Sequence, residues 1–263
     1  MDIDADDLAT VAKRLRAAKR VVWLTGAGIS VASGISPYRH SKDAVWANFI
    51  TDWGTAAKLM ASPLTWYRQF WLQAHPSLKF GAPAVFPNPA HVALTKLLRA
   101  RPQHTLITQN IDGLHVDSGA PRDRIAEIHG RADTFVCTNK NCAMARTPIS
   151  SVSLKGIDEG DVPECEHCGA ALRPLVLLFD EYYESQPFYR ARDAREWLND
   201  GDVIVFVGTS LSVGITAMAV HAAQASGAQM INLNLDTAEL PGALNLLGKA
   251  EVTLPALVDA VLA

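Results

Sequence analysis

The sequence predicts an α/β chain: a parallel sheet with helices on both faces, interrupted by a helical insert and by a small cysteine-bearing module. Three observations carry this. Four short, β-rich apolar runs are each followed at once by Gly or polar residues, the pattern of strands buried on both faces. Apolar residues at helical spacing lie between those runs. All four Cys fall within residues 137–168.

In chain order, Leu8, Val11, Ala12 and Leu15 share one helical face ahead of the first strand, Val21-Val22-Trp23-Leu24. Residues 32–88 hold many aromatics, Pro and Gly with weak periodicity, which predicts a helical insert with a mobile loop. After Pro87-Asn88-Pro89, the spacing of Val92, Leu94, Leu97 and Leu98 predicts a helix, followed by the strand Thr105-Leu106-Ile107-Thr108. Residues 131–173 form the cysteine module. The main chain resumes with the strand Val203-Ile204-Val205-Phe206-Val207, a helix over 217–225 and the strand Met230-Ile231-Asn232-Leu233. Leu254-Pro255-Ala256-Leu257-Val258 closes it as a helix packed on the sheet. The sheet is thus expected from 1–31, 89–130 and 174–263. Ligands of such sheets bind beyond the C-terminal strand ends, and the polar clusters of this chain fall there.

Composition narrows the function. The chain has 263 residues, is 49% hydrophobic and 19% charged, and carries 24 Lys+Arg against 27 Asp+Glu, a net charge of −3. That excludes a disordered chain and gives no reason to expect nucleic acid. Four Cys are too few for a disulfide scaffold of this size. No apolar run reaches the roughly 18 residues of a membrane span, and the acidic start MDIDADDLAT is unlike a secretory signal. A soluble, cytoplasmic protein with no membrane partner is expected.

Five constellations carry chemistry. Thr25-Gly26-Ala27-Gly28-Ile29-Ser30 follows the first strand; its glycines allow a tight turn and close approach of backbone to a pyrophosphate at a helix start. Val31 stands where the usual dinucleotide fingerprint has its third Gly, and Gly34 follows three residues later, so a purely structural turn stays open. Cys137-x4-Cys142 and Cys165-x2-Cys168 have the spacing of one tetrahedral, structural zinc, with disulfides or free thiols as alternatives. His167, between the last two Cys, is expected at a solvent-facing tip.

Thr108-Gln109-Asn110-Ile111-Asp112-Gly113 ends the second strand. Such polar side chains after a buried strand are costly unless something satisfies them. The set suits a nicotinamide carboxamide and a ribose; an ordinary polar turn is the alternative. Glu127-Ile128-His129-Gly130 places one His beside the cysteine module. Val207-Gly208-Thr209-Ser210-Leu211 and Asn232-Leu233-Asn234 end the last two strands with small residues and amides.

In this order the motifs resemble the sirtuin family: GAGIS with SGISPYR, PNPAHVAL, TQNID, EIHG, the paired Cys, GTSL, INLN and LPALV, spanning residues 21–258. The resemblance implies one catalytic domain over 1–263, with a Rossmann-like NAD-binding part, a zinc-ribbon module, and an acyl-lysine peptide meeting NAD in the cleft between. It implies that Gly26, Ala27, Gly28, Ser30, Arg39, Gln109, Asn110, Ile111 and Asp112 contact or frame NAD. Gly208, Thr209, Ser210, Asn232, Leu233, Asn234 and Ala250 complete that set. His129 matches the general base, and Asn110, with Asp112, holds the carboxamide in a pose that favours its departure. The implied activity is an NAD-dependent protein-lysine deacylase, most simply a deacetylase. NAD loses nicotinamide, the acyl oxygen takes the exposed ribose carbon, and His129 deprotonates a ribose hydroxyl that attacks the acyl carbon. The products are nicotinamide, free lysine and an acylated ADP-ribose.

The peptide side departs from the family pattern. Phe179-Asp180-Glu181 stands where the family has Phe-Gly-Glu, and Val213-Gly214-Ile215 where it has Val-x-Pro. By position Phe179, Asp180, Glu181 and Val213 are the expected substrate-binding residues, with the Asp180 carboxylate near the peptide backbone. Members that remove succinyl-type groups carry Tyr and Arg three residues apart. Here Tyr67 is followed by Phe70, and Phe70 by Gln73, so a neutral acyl group is expected, with Arg68 the remaining cation that could reach the pocket. An ADP-ribosyltransferase or NAD hydrolase on the same scaffold, or a non-catalytic NAD sensor, are the alternatives. A Rossmann oxidoreductase fits poorly, because no acidic residue ends a second strand about 20 positions past the Gly-rich turn. Oligomeric state is left open.

Overall fold

The structure, a computed structural model of the chain, describes residues 3–35, 49, 51–79, 81–211, 214–237 and 240–263. Arg39 and Val213, with Ser36-Pro37-Tyr38, lie outside the described residues.

Six parallel strands form the main sheet in the order β3-β2-β1-β7-β8-β9. They are β1 (Val21–Thr25), β2 (His104–Thr108), β3 (Ile125–Glu127), β7 (Val203–Val207), β8 (Gln229–Asn234) and β9 (Leu244–Leu247). The four expected strands are all present. β3 and β9 were not foreseen: each is only three or four residues long, too short to show a period.

Both faces of the sheet are covered, which is why β1 and β7 are buried at every position. On one face Trp23, Leu106, Val205 and Ile231 pack against helices Ala5–Ala17, Pro89–Ala100 and Ala250–Leu262. On the other, Val22, Leu24, Ile204 and Phe206 meet Ala194 and Leu198 of helix Ala191–Asp200 and Ile215 and Ala219 of helix Gly214–Ser226. Each buried large side chain contributes about 1.5–3 kcal/mol. The first helix is started by Asp4, whose carboxylate accepts from the N–H groups of Asp6 and Asp7. None of the described helices is long and apolar enough to cross a membrane.

The strand ends are aligned. Thr25 pairs with both Thr108 and Val207, Thr108 with Glu127, and Val207 with Leu233. Chain order reverses between β1 and β7, so the crevice of this Rossmann-like sheet opens there.

The insert and the cysteine module, expected as separate interruptions, share one core and make a single lobe. A three-stranded sheet, β5-β4-β6, combines β4 (Gly130–Cys137), β5 (Ile149–Ser150) and β6 (Leu172–Val176). β6 thus runs across the 173/174 boundary drawn from the sequence. Phe135, Ile157 and Leu172 of the module pack with Leu59, Trp66, Phe70 and Trp71 of the insert. Tyr67 Oη donates to Leu172 O at 2.8 Å, and Arg68 donates to the carbonyls of Ile157 and Asp158, each at 2.7 Å. Tyr67 and Arg68 therefore join insert to module.

Candidate functional site

A cavity of about 2050 Å³ lies between the strand ends and the second lobe. Its floor is made of glycine for a reason that the sequence reading only half caught. A methyl group on Gly28 would stand 2.7 Å from the Gly208 backbone, and one on Gly26 would stand 2.9 Å from Gly208 O. Gly28 N–H donates to Gly208 O at 2.8 Å and Gly26 N–H to Val207 O at 3.0 Å. The glycines let the loops after β1 and β7 touch across the point where strand order reverses. The segment that follows, Ala27–Ser33, is a seven-residue 3-10 helix, not the expected α-helix start. Gly34 ends it in the left-handed conformation at φ 88°, so its role is a C-cap.

Above that floor the polar side chains satisfy one another. Asn110 Nδ2 donates to Gly26 O and to Ser30 Oγ, each at 3.1 Å. Ser30 Oγ donates to Asp112 Oδ2 at 2.7 Å, and Asp112 Oδ1 accepts from Leu114 N–H at 3.0 Å. Burial raises the pKa of Asp112, partly offset by the Ser30 bond. Gln109 Nε2 donates to Thr209 Oγ1 at 3.1 Å and Asn234 Nδ2 to Thr209 O at 2.9 Å, which ties β2, β7 and β8 together at their ends. Ala27, Ile111, Ser210, Leu233 and Ala250 also line the cavity. Asn232 does not line it: its side-chain amide is buried and donates to Asp236 O and Asn245 Oδ1, one pair inside the strand end, opposite Phe206.

His129 stands where the chain crosses from one lobe to the other. Ile128 N–H still bonds Thr108 O of the main sheet, whereas His129 O already accepts from Leu177 N–H beyond β6. Gly130, at φ 82°, makes the crossing; a methyl group there would lie 1.9 Å from Leu175 O. The imidazole Nδ1 is 2.8 Å from Gln109 O. A carbonyl only accepts, so Nδ1 carries the proton and the neutral ring keeps a lone pair on Nε2. Burial lowers the pKa of His129, which keeps it neutral near pH 7.

The opposite wall comes from the second lobe: Trp71, His75, Leu78, Val176 and Leu178. The sequence reading looked for a Tyr-and-Arg spacing at Tyr67, Phe70 and Gln73. The insert instead makes a π-turn over Tyr67–Trp71, which adds a residue to the turn and moves Trp71 and His75 into the wall. Their rings lie 4.0 Å apart between centroids. Burial lowers the pKa of His75 to about 3, so this wall carries no charge there.

The expected peptide-side residues divide. Phe179 is 60% exposed, and its N–H bonds Gly54 O at 2.9 Å. The Asp180 carboxylate is not presented to the cavity: it accepts from Ala56 N–H at 2.7 Å and Ala57 N–H at 3.1 Å. Those partners are too distant in sequence to foresee. Glu181 lines the cavity, but its carboxylate pairs with Arg173 at 2.7 and 2.8 Å and accepts from Leu178 N–H.

Two further groups had no role assigned from the sequence. Glu127, buried behind His129, has its pKa raised to about 7 by burial, partly offset by Arg131 and Arg122. Tyr183 stacks on His129.

The four thiols converge as the spacing suggested. All four sulfurs lie within 4.8 Å of one another, with Cys137–Cys168 at 3.5 Å and Cys142–Cys165 at 3.9 Å. A disulfide needs about 2.05 Å. A tetrahedron of sulfurs about 2.3 Å from zinc has edges of roughly 3.8 Å, so the set fits that ion. His167 is exposed and outside the group.

The sequence model of the Sir2 family matches residues 26–214. The chain belongs to this family. Among sirtuins, NAD-dependent deacetylase sir2E of Dictyostelium discoideum is 35% identical over 260 residues, covering 94% of this chain and 75% of that protein. A Sir2 homolog solved in complex with NAD is 29% identical, with a TM-score of 0.77 over 98% of this chain and 93% of that one. A Sir2 protein bound to a myristoylated histone peptide is 26% identical, with a TM-score of 0.71 over 98% and 97%. The glycine floor and the Ser30, Asn110 and Asp112 cluster of this sirtuin fit a dinucleotide, since the backbone there is open to close approach and the amides and carboxylate are already oriented.

Proposed function

We propose that the chain is an NAD-dependent protein-lysine deacylase, most simply a deacetylase, acting on acyl-lysine proteins or peptides. The observation that carries this is His129, held by Gln109 O as a neutral imidazole with a free Nε2, facing across the cavity from Asn110, Ser30 and Asp112. Bound NAD would supply a glycosidic carbon with nicotinamide as its leaving group; transfer of the acyl group to the ribose, with one water consumed as the lysine amine departs, would give free lysine and O-acyl-ADP-ribose. Asn110 and Asp112 hold and orient its amide end, Gly26, Gly28 and Gly208 make room for its phosphates, and His129 Nε2 takes the proton of a reacting hydroxyl. Arg39 and Val213 keep their assigned roles by sequence position alone.

The wall of Trp71, Leu78, Ile111, Val176 and Leu178, with neutral His75, supports a neutral, apolar acyl group. Arg68, bound to Ile157 O and Asp158 O, does not supply a countercharge for an acidic one. The four-thiol zinc would be structural, since four ligands leave no open position. It braces the lobe that carries this wall. Cysteines kept as metal thiolates support a reducing compartment, and we read the chain as cytoplasmic.

The test is incubation with NAD and a panel of acyl-lysine peptides, read by mass spectrometry. O-acyl-ADP-ribose from acetyl- and longer neutral acyl peptides, with none from succinyl peptide, supports the reading. ADP-ribose mass added to protein, or NAD consumed without peptide, overturns it in favour of a transferase or NAD hydrolase.

A further inference from the structure

The His129 side chain turns about two bonds, and the one hydrogen bond from Nδ1 to Gln109 O restrains only one combination of them, so the plane of the ring can still tilt about that contact. A second side chain sets that plane. Tyr183 lies parallel to the imidazole, with centroids 6.0 Å and planes 10° apart, an offset stack. Its phenol oxygen reaches the start of helix Gly214–Ser226, 3.4 Å from where a methyl group on Gly214 would stand, and its ring packs on the sheet-lobe core. The phenol is therefore held at one end by the sheet lobe while its face covers the base.

The segment that carries Tyr183 is anchored on three sides. Asp180 is bonded by the N–H groups of Ala56 and Ala57 in the insert, Glu181 by Arg173 of β6, and Glu184 by Arg195 of helix Ala191–Asp200. Adjacent residues point opposite ways: Tyr182 is 79% exposed, whereas Tyr183 is half-buried and lines the cavity. The Asp-Glu-Tyr-Tyr-Glu run, which breaks the family pattern, thus has an internal purpose.

We propose that Tyr183 is a positioning residue for His129: its ring, not its hydroxyl, holds the imidazole plane so that Nε2 keeps facing the cavity. This rests on His129 being the base of the proposed deacylase. An aromatic pair of this kind biases a ring orientation by roughly 2- to 13-fold, and misplacing a reacting group by about 1 Å can cost on the order of 100-fold. The expected loss on removing the ring is therefore about 10-fold in turnover.

The experiment compares wild type, Tyr183→Ala, Tyr183→Phe and His129→Ala in three readouts: O-acyl-ADP-ribose formation, exchange of labelled nicotinamide into NAD with acetyl-lysine peptide present, and long-range proton–nitrogen NMR of the His129 ring in ligand-free protein. Exchange needs both substrates seated but not the base. Tyr183→Ala should form product about 10-fold more slowly, with exchange and the KM for NAD within about two-fold of wild type. Its ring signals should shift and broaden as the plane loosens, while the Nδ1–H tautomer set by Gln109 O is kept. Tyr183→Phe should recover product formation to within about three-fold and restore the wild-type ring signals. Product formation by Tyr183→Ala within two-fold of wild type, unchanged ring signals, or exchange falling in step with product would each overturn the proposal. Near-normal product formation by His129→Ala would instead remove the base, and with it the deacylase mechanism, whatever Tyr183 does.

Discussion

His129 takes its tautomer from the backbone of Gln109: the imidazole Nδ1 lies 2.8 Å from that residue's carbonyl oxygen. The acceptor is main chain, so the tautomer survives changes of the Gln109 side chain but depends on the loop after β2 staying in place. Burial depresses the pKa of the same ring. The acid limb of kcat should therefore have its midpoint below the ordinary imidazole value of about 6.5. A pH–rate profile with the acid limb above 7 would contradict this assignment.

The four-cysteine cluster lies in the lobe that supplies one wall of the cavity. Gently purified protein should carry one zinc per chain by metal analysis. Cys165→Ser should lower Tm by several degrees and weaken activity through that wall, because metal binding and folding are coupled. Metal-free protein with normal Tm would reject the site.

Asp180 was expected beside the peptide and instead secures Ala56 and Ala57. Asp180→Gly should lose about 1 kcal/mol of stability, as for a lost helix-start acceptor, and raise the KM for peptide more than that for NAD, while Asp180→Asn keeps part of both. Equal effects on the two KM values would show that the link does not reach the peptide seat.

Gly28→Ala places a methyl group 2.7 Å from the Gly208 backbone. Main chain cannot swing aside, so the loops must separate, at a cost of about 1–3 kcal/mol with weakened NAD binding. Denaturant unfolding and NAD titration check both; unchanged values would mean that the two loops are not in contact.

Five of the described histidines resist protonation: burial lowers the pKa of His75 to about 3, of His91 and His104 to about 4, and also pushes His115 and His129 below the ordinary imidazole value. Between about pH 6.5 and 4 the unfolded chain binds these protons and the folded chain does not, so stability falls as pH falls. Glu127, raised to about 7, works the other way, losing stability as pH rises from about 4.5 through 7. Asp112, also raised by burial, acts in the same direction as Glu127; five imidazoles oppose two carboxyls, and Tm should drop between pH 7 and pH 5. A flat Tm across that window would contradict the burial assigned to these rings.

The four long strands were legible because burial on both faces leaves uninterrupted apolar runs, and the zinc module because cysteine spacing encodes coordination. The short strands β3 and β9 were hidden by their length. The wall made by Trp71 and His75 was not legible, because the π-turn over Tyr67–Trp71 breaks the regular spacing from which a helix face is read. The carboxylates at 180 and 181 were read as substrate contacts because their partners at Ala56 and Arg173 are fixed only by tertiary packing. Tyr183 had no role assigned from the sequence for the same reason: nothing local in Tyr182-Tyr183 says which ring turns inward.

The most direct test of the account is single-turnover kinetics of His129→Ala with NAD and acetyl-lysine peptide, following nicotinamide exchange and O-acetyl-ADP-ribose together. The account predicts that exchange persists within a few-fold of wild type while O-acetyl-ADP-ribose formation falls by at least about 100-fold. Product formed at the wild-type rate without this imidazole would contradict it.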